Sequence, residues 1–201
     1  MRRNDVYFIG LGLKKLFEPY VEKCLIAGSV RREVPEVKDL ELVIIPKTSV
    51  EQRLLGMEAS VDGFYQWAAS QPYIDWIKPG VSQIERNWPV KTGARYLRGM
   101  FSDEDDSGLK VDIFIANQDN FGIIATIRTG SNLFTQALMS RALRIKKRCQ
   151  GGYLTNVDGT HIRTPYEEDV FTELGLKWLE PTARCPKTLE DAHQLVADLR
   201  L

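Results

Sequence analysis

The stretch CLIAGSVRREVPEVKDLELVII, residues 24–45, decides the fold. It contains an apolar segment, a Gly-Ser turn followed by two arginines, and a second apolar segment that opens with two acids. This pattern predicts two strands connected through a turn. Successive side chains of a strand alternate between its faces, so Asp39 and Glu41 lie on the same face. The sequence therefore predicts a pair of carboxylates at the start of the second strand.

A third carboxylate comes from the apolar run 108–116, in which Asp112 is the single acid. Laid beside the first pair, Asp112 forms a cluster of like charges that repel strongly at low dielectric unless a cation neutralises them. Oxygen-only ligands suit Mg²⁺ or Mn²⁺. The sequence thus favours a metal site, and the alternative is a half-buried strand whose acids face solvent.

The turn before the acids has the composition of a phosphate site. Gly28 allows close approach of the backbone to a ligand, and a helical turn from Ser29 to Arg32 directs N–H groups, a hydroxyl and guanidinium groups at phosphate oxygens. Together with the acids, this turn predicts a nucleotide site; the alternative is a plain Gly-Ser turn.

These motifs resemble those of the DNA polymerase beta family (family X) of nucleotidyltransferases. Two further segments are similar to that family's thumb: Thr129 to Phe134, and the region from Glu167 to Pro181. The resemblance covers about residues 20–185. It implies an α+β fold, with a nucleotidyltransferase palm of a mixed sheet with helices on one face, followed by a small thumb of helices and a short β-hairpin.

The resemblance also implies the domain organisation. The palm is expected at residues 1–119 and the thumb, with a C-terminal helix, at residues 120–201. The lyase and fingers domains of larger members are therefore not expected. The expected protein is a minimal palm-plus-thumb form, of a kind familiar from viruses and phages.

By the same resemblance, the protein is a DNA-directed DNA polymerase or nucleotidyltransferase of DNA repair. It is expected to transfer a nucleotidyl group from a nucleoside triphosphate to a nucleic-acid 3′-hydroxyl, by gap filling or without a template. The resemblance implies two Mg²⁺ or Mn²⁺ ions that Asp39 and Glu41 bridge, with Asp112 as a ligand of the catalytic one. Because Glu41 replaces the family's usual Asp, the metal preference stays open.

The resemblance assigns further residues around these acids. Gly28, Ser29 and Arg32 hold the triphosphate, whereas the role of Arg31 is left open. Lys110 is placed beside the nucleic acid. The remaining nucleotide-binding residues are those of the thumb turn, Thr129, Gly130, Ser131 and Asn132. This turn is expected to contain a cis peptide bond between Gly130 and Ser131.

Composition narrows the class of protein. The 201 residues are 43% hydrophobic and 27% charged with a formal net charge of zero, so a nucleic-acid surface requires uneven charge distribution. Three widely spaced cysteines indicate reduced thiols. We expect a cytoplasmic monomer with no membrane segment, in the bacterial host cytoplasm if the chain is phage-encoded. The expected partners are a nucleoside triphosphate and DNA as a primer or gapped duplex.

The uneven charge lies in residues 120–157, which contain no Asp or Glu. We expect the basic residues of this segment to contact nucleic-acid phosphates. The alternative is that basic side chains near a helix end complement its dipole. The residues are Arg128, Arg144, Lys146, Lys147 and Arg148.

Periodicity and turn signals predict the other elements. Helices are expected at 6–23, 48–70 and 133–147, strands at 92–101 and 108–116, and a hairpin at 149–163. A helix capped by Thr164, with Glu167 in a capping box, and a last helix capped by Thr188 complete the chain.

Two questions stay open at the level of sequence. The acceptor can instead be tRNA or a small molecule, or the chain can be a nucleic-acid-binding module without chemistry. Ile127 and Arg128 stand where relatives carry an aromatic pair, which favours weak discrimination between ribo- and deoxyribonucleotides. The alternative is that the backbone of the thumb turn alone sets that selectivity.

Overall fold

The structure of the chain is a computed structural model. It describes residues 1–47, 49–53, 57–61, 63–72, 74–77, 89–91, 93–101 and 108–201.

Helices and strands alternate in the first half of the chain, and helices dominate the second half. In chain order the elements are α1 (Arg3–Phe17), β1 (Val21–Ile26), α2 (Gly28–Arg31), β2 (Asp39–Pro46), β3 (Ser49–Arg53), β4 (Met57–Val61), α3 (Gly63–Ala69), β5 (Ile74–Ile77), β6 (Tyr96–Phe101), β7 (Leu109–Ile115), α4 (Phe121–Thr129), α5 (Asn132–Arg144), β8 (Lys147–Gln150), β9 (Tyr153–Asn156), β10 (His161–Ile162), α6 (Glu167–Glu173) and α7 (Leu189–Asp198). A short 3₁₀ helix, Pro181–Ala183, lies between α6 and α7.

The strands of the described residues form three sheets. The largest has five strands in the order β1-β2-β7-β6-β5, in which β2 and β7 are parallel and the other neighbours antiparallel. A three-stranded antiparallel sheet has the order β10-β9-β8, and β3 pairs with β4. The predicted α+β fold, a mixed sheet followed by a helical region with a small antiparallel sheet, is confirmed.

The two faces of the five-stranded sheet have different partners. Leu40, Leu42 and Ile44 of β2 face a core that includes Phe17 of α1 and Phe64 of α3. Because side chains alternate, the other face of β2 carries Asp39 and Glu41 and then Val43 and Ile45. Those two apolar residues pack with Phe114 of β7 and with Phe121 and Ala125 of α4. The acids therefore lie on the face that α4 covers further along the strands.

The C-terminal helices enclose a separate cluster of buried residues. Phe134 and Leu138 of α5 pack there with Leu154 of β9, Phe171 of α6 and Val196 of α7. The predicted domain boundary between residues 119 and 120 stays a prediction.

Several predicted elements differ from the structure. The helix predicted at 48–70 is wrong, because the chain forms the β3–β4 pair before the short helix α3. The first helix ends at Phe17 rather than near residue 23, and β1 starts at Val21. Helix α5 ends at Arg144, and the next strand begins at Lys147. None of the described helices has the length and apolarity needed to cross a membrane.

Candidate active site

The parallel pairing of β2 and β7 positions the predicted acids. Glu41 is the register partner of Asp112, and Asp39 is the register partner of Lys110. On the other side of β7, Arg98 of β6 lies opposite Asp112. The sheet register thus brings a glutamate, an aspartate and an arginine side by side on three adjacent strands.

Asp112 is 4% exposed and is held by two residues of β6. Arg98 donates from Nε to Oδ1 at 2.7 Å and from Nη2 to Oδ2 at 2.9 Å. The Tyr96 hydroxyl donates to Oδ1 at 2.7 Å. Paired, planar hydrogen bonds between arginine and carboxylate are among the strongest side-chain interactions. Both oxygens of the Asp112 carboxylate therefore accept hydrogen bonds.

Glu41 has a different electrostatic environment. Burial, followed by the nearby Asp39 charge, raises the pKa of Glu41 to about 7, although Arg128 and Arg32 act in the opposite direction. Its carboxylate lies against Gly28, whose φ is +64°, and a Cβ at that glycine would be 2.0 Å from Glu41 Oε2. Only glycine fits here, because both the close contact and the positive φ exclude a side chain. The turn predicted to bind phosphate is thus packed directly on a predicted metal ligand.

The acids fit a divalent cation in chemistry and charge. Their donors are oxygens, which Mg²⁺ and Mn²⁺ prefer. Burial, followed by the nearby Asp39 charge, raises the pKa of Glu41, and a bound cation would favour its ionised form. Across the described residues, however, no three His, Cys, Asp or Glu side chains are grouped so as to hold a metal ion. At Asp112, both carboxylate oxygens accept hydrogen bonds, from Arg98 and Tyr96.

A cavity of about 920 Å³ opens beside Glu41 and Asp112. The guanidinium of Arg128 lies 3.8 Å from the centre of the Phe114 ring, within this cavity. The other charged and aromatic residues of its wall are Arg95, Arg98, Tyr65, Tyr96 and Tyr153. Two acids, three arginines and several aromatic rings therefore line the same cavity. One of these arginines, Arg128, is a predicted nucleic-acid-binding residue.

The two arginines of the Gly-Ser turn contact the thumb turn. Arg31 donates from Nη1 to Thr129 Oγ1 at 2.8 Å, and Arg32 donates from Nη1 to the Thr129 carbonyl at 2.7 Å. Arg31 also bonds Glu167 through Nη2 at 2.6 Å. The sequence left the role of Arg31 open. In the structure its hydrogen bonds connect α2 to Thr129 of α4 and to Glu167 of α6.

Glu167 has a role that the sequence did not indicate. It was predicted to complete a capping box for Thr164, but α6 begins at Glu167 itself, and Asp169 accepts from the Tyr166 N–H at 2.8 Å instead. Glu167 accepts from Arg31 and, through Oε1, from Arg184 Nη1 at 2.7 Å. Arg184 is 0% exposed, and its Nε and Nη2 donate to the Leu179 carbonyl at 2.9 and 2.7 Å.

The turn between α4 and α5 corrects another expectation. No peptide bond in the described part of the chain is cis, so the bond between Gly130 and Ser131 is trans. Ser131 caps α5 by accepting from the Phe134 N–H at 3.2 Å. A Cβ at Gly130 would be 2.8 Å from the Phe134 ring, so this glycine permits close packing of the turn. Asn132 is exposed and accepts from Gln136.

The predicted phosphate-binding stretch divides into two kinds of residue. Arg144, Lys146 and Arg148 are exposed. Lys147 is half-buried and forms an ion pair with Glu173. The exposed residues are available to a ligand, whereas Lys147 is bound within the fold.

Sequence reasoning missed Tyr96 and Arg98 as parts of the site. The segment 92–101 was predicted as a strand, and Tyr96 and Arg98 are two residues apart within it. Only the antiparallel register with β7 reveals that both face Asp112. The missing information was strand pairing, which the alternation of a single strand does not contain.

Comparison with known families matches a segment of the C-terminal region. Residues 125–185 match the family described as DNA polymerase beta thumb. This segment runs from α4 to beyond the short 3₁₀ helix and includes Thr129, Glu167 and Arg184. The chain matches no curated protein. The protein thus contains a segment similar to the thumb domain of DNA polymerase beta.

Proposed function

We propose that the protein is a metal-dependent nucleotidyltransferase that joins a nucleotide from a nucleoside triphosphate to the 3′-hydroxyl of a nucleic acid. The observation that carries the proposal is the register of β2 and β7, which sets Glu41 beside Asp112 next to the Gly28 turn. The match of residues 125–185 to a polymerase thumb supports a nucleic-acid acceptor.

The acids would hold the ions. Asp39 and Glu41 lie on one strand face, and Asp112 joins them from the adjacent strand once its oxygens are released from Arg98. When bound, Mg²⁺ or Mn²⁺ lowers the pKa of the attacking hydroxyl and stabilises the leaving pyrophosphate. The chain then needs no nucleophile of its own.

The turn and the arginines would bind the triphosphate. Gly28 lets the backbone approach a phosphate closely, and Ser29 and Arg32 supply donors beside it. Arg32 donates to the Thr129 carbonyl, so the same guanidinium reaches the turn of the thumb that would cover the sugar. The proposed triphosphate site and the thumb turn would therefore be connected through one residue.

The cavity and the exposed basic residues would bind the acceptor. Arg128 lies in the cavity over Phe114, where it is close enough to Glu41 to affect its pKa. Arg144, Lys146 and Arg148 are exposed on the thumb. Backbone phosphates are the chemical group that such arginines and lysines bind without regard to base sequence.

A second candidate is a nucleic-acid-binding protein without catalytic chemistry. It is favoured by a specific observation, the ion pair that occupies both oxygens of Asp112. In that case Arg98 would replace the metal permanently, and the fold would retain only the binding surface.

Extension of a labelled primer separates these candidates. The protein is incubated with each nucleoside triphosphate in Mg²⁺ or Mn²⁺, with a template strand, with a gapped duplex, and with the primer alone. We expect the primer to lengthen in at least one metal, and a requirement for the template distinguishes a polymerase from a terminal transferase. Binding of DNA without extension in either metal would support the second candidate and contradict the first.

A further inference from the structure

Helix α1 exposes more apolar surface than any other part of the described chain. Ten large hydrophobic side chains are exposed among the described residues, and five of them lie within residues 1–16: Met1, Tyr7, Phe8, Leu11 and Leu16. The inner side of the same helix already packs in the core beneath the five-stranded sheet. The folding of one chain therefore leaves the outer side of α1 without an apolar partner.

The outer side of α1 has the spacing of a helix-packing surface. The buried side repeats at intervals of four, three and four residues, as Val6, Gly10, Leu13 and Phe17. An exposed row repeats at the same intervals, as Asn4, Phe8, Leu11 and Lys15. Because residues three and four apart share one side of a helix, the two rows lie on nearly opposite sides. Rows with this spacing are those through which one helix packs against another.

Gly12 leaves a depression beside this row. It is exposed, and a Cβ placed on it would meet no atom of the described chain within 4 Å. Glycine inside a helix lowers the stability of that helix relative to alanine, and nothing within the described chain uses the space that Gly12 leaves. The depression lies one helical turn after Phe8, whose ring is 69% exposed. The row thus presents a protruding ring and a depression of the backbone one turn apart.

The two ends of the outer side carry opposite charges. Asp5 lies in the first turn of α1, and Lys14 and Lys15 lie in the last. Arg3, also in the first turn, is paired with Glu33 at 3.1 Å. Two copies of this helix in parallel orientation would place like charges opposite one another, whereas an antiparallel pair places Asp5 opposite Lys15. The charges therefore favour a second copy of the same helix in antiparallel orientation.

One two-fold axis satisfies the charged and the apolar contacts together. In an antiparallel pair whose axis passes near residue 10, opposite residues have numbers centred on 10. Asp5 then lies opposite Lys15 and Phe8 lies opposite Gly12, and each contact occurs twice. The surface is complementary to itself, as an interface between two identical subunits requires.

We propose that two copies of this chain associate through α1 as an antiparallel pair, with the Phe8 ring of each copy in the depression at Gly12 of the other. The proposal departs from the monomer expected from the sequence. It does not depend on the proposed function, because α1 packs on the side of β2 that carries Leu40 and Leu42, away from Asp39. Both candidate sites stay open in such a dimer.

The size of the surface predicts a weak dimer. The exposed fractions of Phe8, Leu11 and Leu16 are 69%, 39% and 54%. With roughly 200 Å² for a large side chain, these three expose on the order of 300 Å² in each copy and about 600 Å² in a pair. Interfaces below about 1,200 Å² are typical of weak and transient complexes, so we expect a dissociation constant on the order of 10 μM.

Sedimentation velocity of the full chain over protein concentrations from about 1 to 200 μM brackets this dissociation constant. Phe8→Asp removes the ring and is expected to weaken the dimer at least about thirtyfold. The matched control is Leu143→Asp, since Leu143 is 61% exposed on α5, and it should leave the dissociation constant within about twofold of the wild type. Gly12→Gln fills the depression with a better helix former, so it should weaken the dimer about tenfold without lowering the melting temperature of the monomer.

A charge exchange tests the antiparallel orientation. Asp5→Lys places two lysines opposite each other at both ends and should weaken the dimer about tenfold at low salt. The double variant Asp5→Lys with Lys15→Asp restores both contacts and should return to within about threefold of the wild type. A parallel pair would gain nothing from the second change, so absence of this rescue overturns the proposed arrangement.

The remaining outcomes also decide the proposal. A wild type that stays monomeric at every concentration overturns it, as does a dimer that Phe8→Asp and Leu143→Asp affect equally. Co-sedimentation of the monomer with vesicles of phosphatidylcholine and phosphatidylglycerol, lost in Phe8→Asp, would make the outer side of α1 a membrane-contact surface instead. A concentration-dependent dimer that is weakened by Phe8→Asp and by Gly12→Gln, but not by Leu143→Asp, supports it.

Discussion

Glu167→Gln tests the ion-pair network that connects the phosphate turn to the thumb. Glutamine keeps the shape of the side chain and removes its charge. The change leaves Arg184, which is 0% exposed, without an anion, and leaves Arg31 beside it with the same charge. Burial already lowers the pKa of Arg184 although Glu167 opposes this, so the cost of burying the guanidinium is substantial.

The expected loss of stability follows from the burial of Glu167, Arg184 and Arg31. Removing one partner of a buried pair costs about 3–5 kcal/mol, because the remaining charge stays in a medium of low dielectric. The two hydrogen bonds from Arg184 to the Leu179 carbonyl remain and place the expected loss at the lower end, about 3 kcal/mol. For a chain of this size such a loss lowers the melting temperature by roughly 10 °C.

Urea unfolding at pH 7 measures this loss, with Asp119→Asn as matched control. Asp119 also pairs with an arginine, Arg163, at 2.6 Å, but the two side chains are 59% and 68% exposed. Exposed pairs contribute about 0–1 kcal/mol, so the control should change little. If Glu167→Gln costs less than 1 kcal/mol, or no more than the control, the network does not stabilise the fold as we infer.

Three further predictions concern the acids, the basic stretch and the sugar. In the presence of a metal chelator, the free energy of unfolding should fall by about 3 kcal/mol as the pH rises from 4.5 to 7. The reason is that Glu41, whose pKa is about 7 in the folded chain, keeps a proton there that the unfolded chain releases. Glu41→Gln should remove this part of the pH dependence in urea titrations. Replacing Arg144, Lys146 and Arg148 by glutamine should reduce the slope of log DNA affinity against log salt concentration by about 2–3, as measured by fluorescence anisotropy. An unchanged slope would exclude phosphate contacts by these residues. Lys147→Gln should instead lower the stability of the fold, since Lys147 is paired with Glu173. The wild type should incorporate matched ribo- and deoxyribonucleotides within about tenfold of each other in steady-state assays, and Arg128→Tyr should favour the deoxyribonucleotide; strong exclusion of ribonucleotides by the wild type would contradict this.

Local patterns were sufficient for the strands that carry the acids. Alternation in 39–46 and the single acid in 108–116 predicted β2 and β7, and the Thr188 cap with Asp191 predicted the last helix. These elements follow from side-chain periodicity and from hydrogen bonds within a few residues, which a sequence displays directly.

Interactions between distant segments could not be predicted. Arg31 and Glu167 are 136 residues apart, and no local pattern relates them. The pairing of β3 with β4 likewise overrides a helical spacing of apolar residues, because strand formation depends on tertiary partners more than on intrinsic preference. The partners of Asp112 are likewise distant in sequence, and its hydrogen bonds to Arg98 and Tyr96 predict a cost of about 2–3 kcal/mol for Asp112→Ala.

Single-turnover addition of one nucleotide to a labelled primer tests the catalytic role of the acids most directly. The wild type is compared with Asp112→Asn, which keeps the size of the side chain, and with Asp119→Asn, an exposed acid outside the cavity. Thermal melting first establishes that each variant is folded. The proposed function predicts that Asp112→Asn lowers the rate about a thousandfold, because a metal contributes several kcal/mol of charge stabilisation, and that Asp119→Asn transfers at the wild-type rate. Transfer by folded Asp112→Asn at the wild-type rate would contradict it.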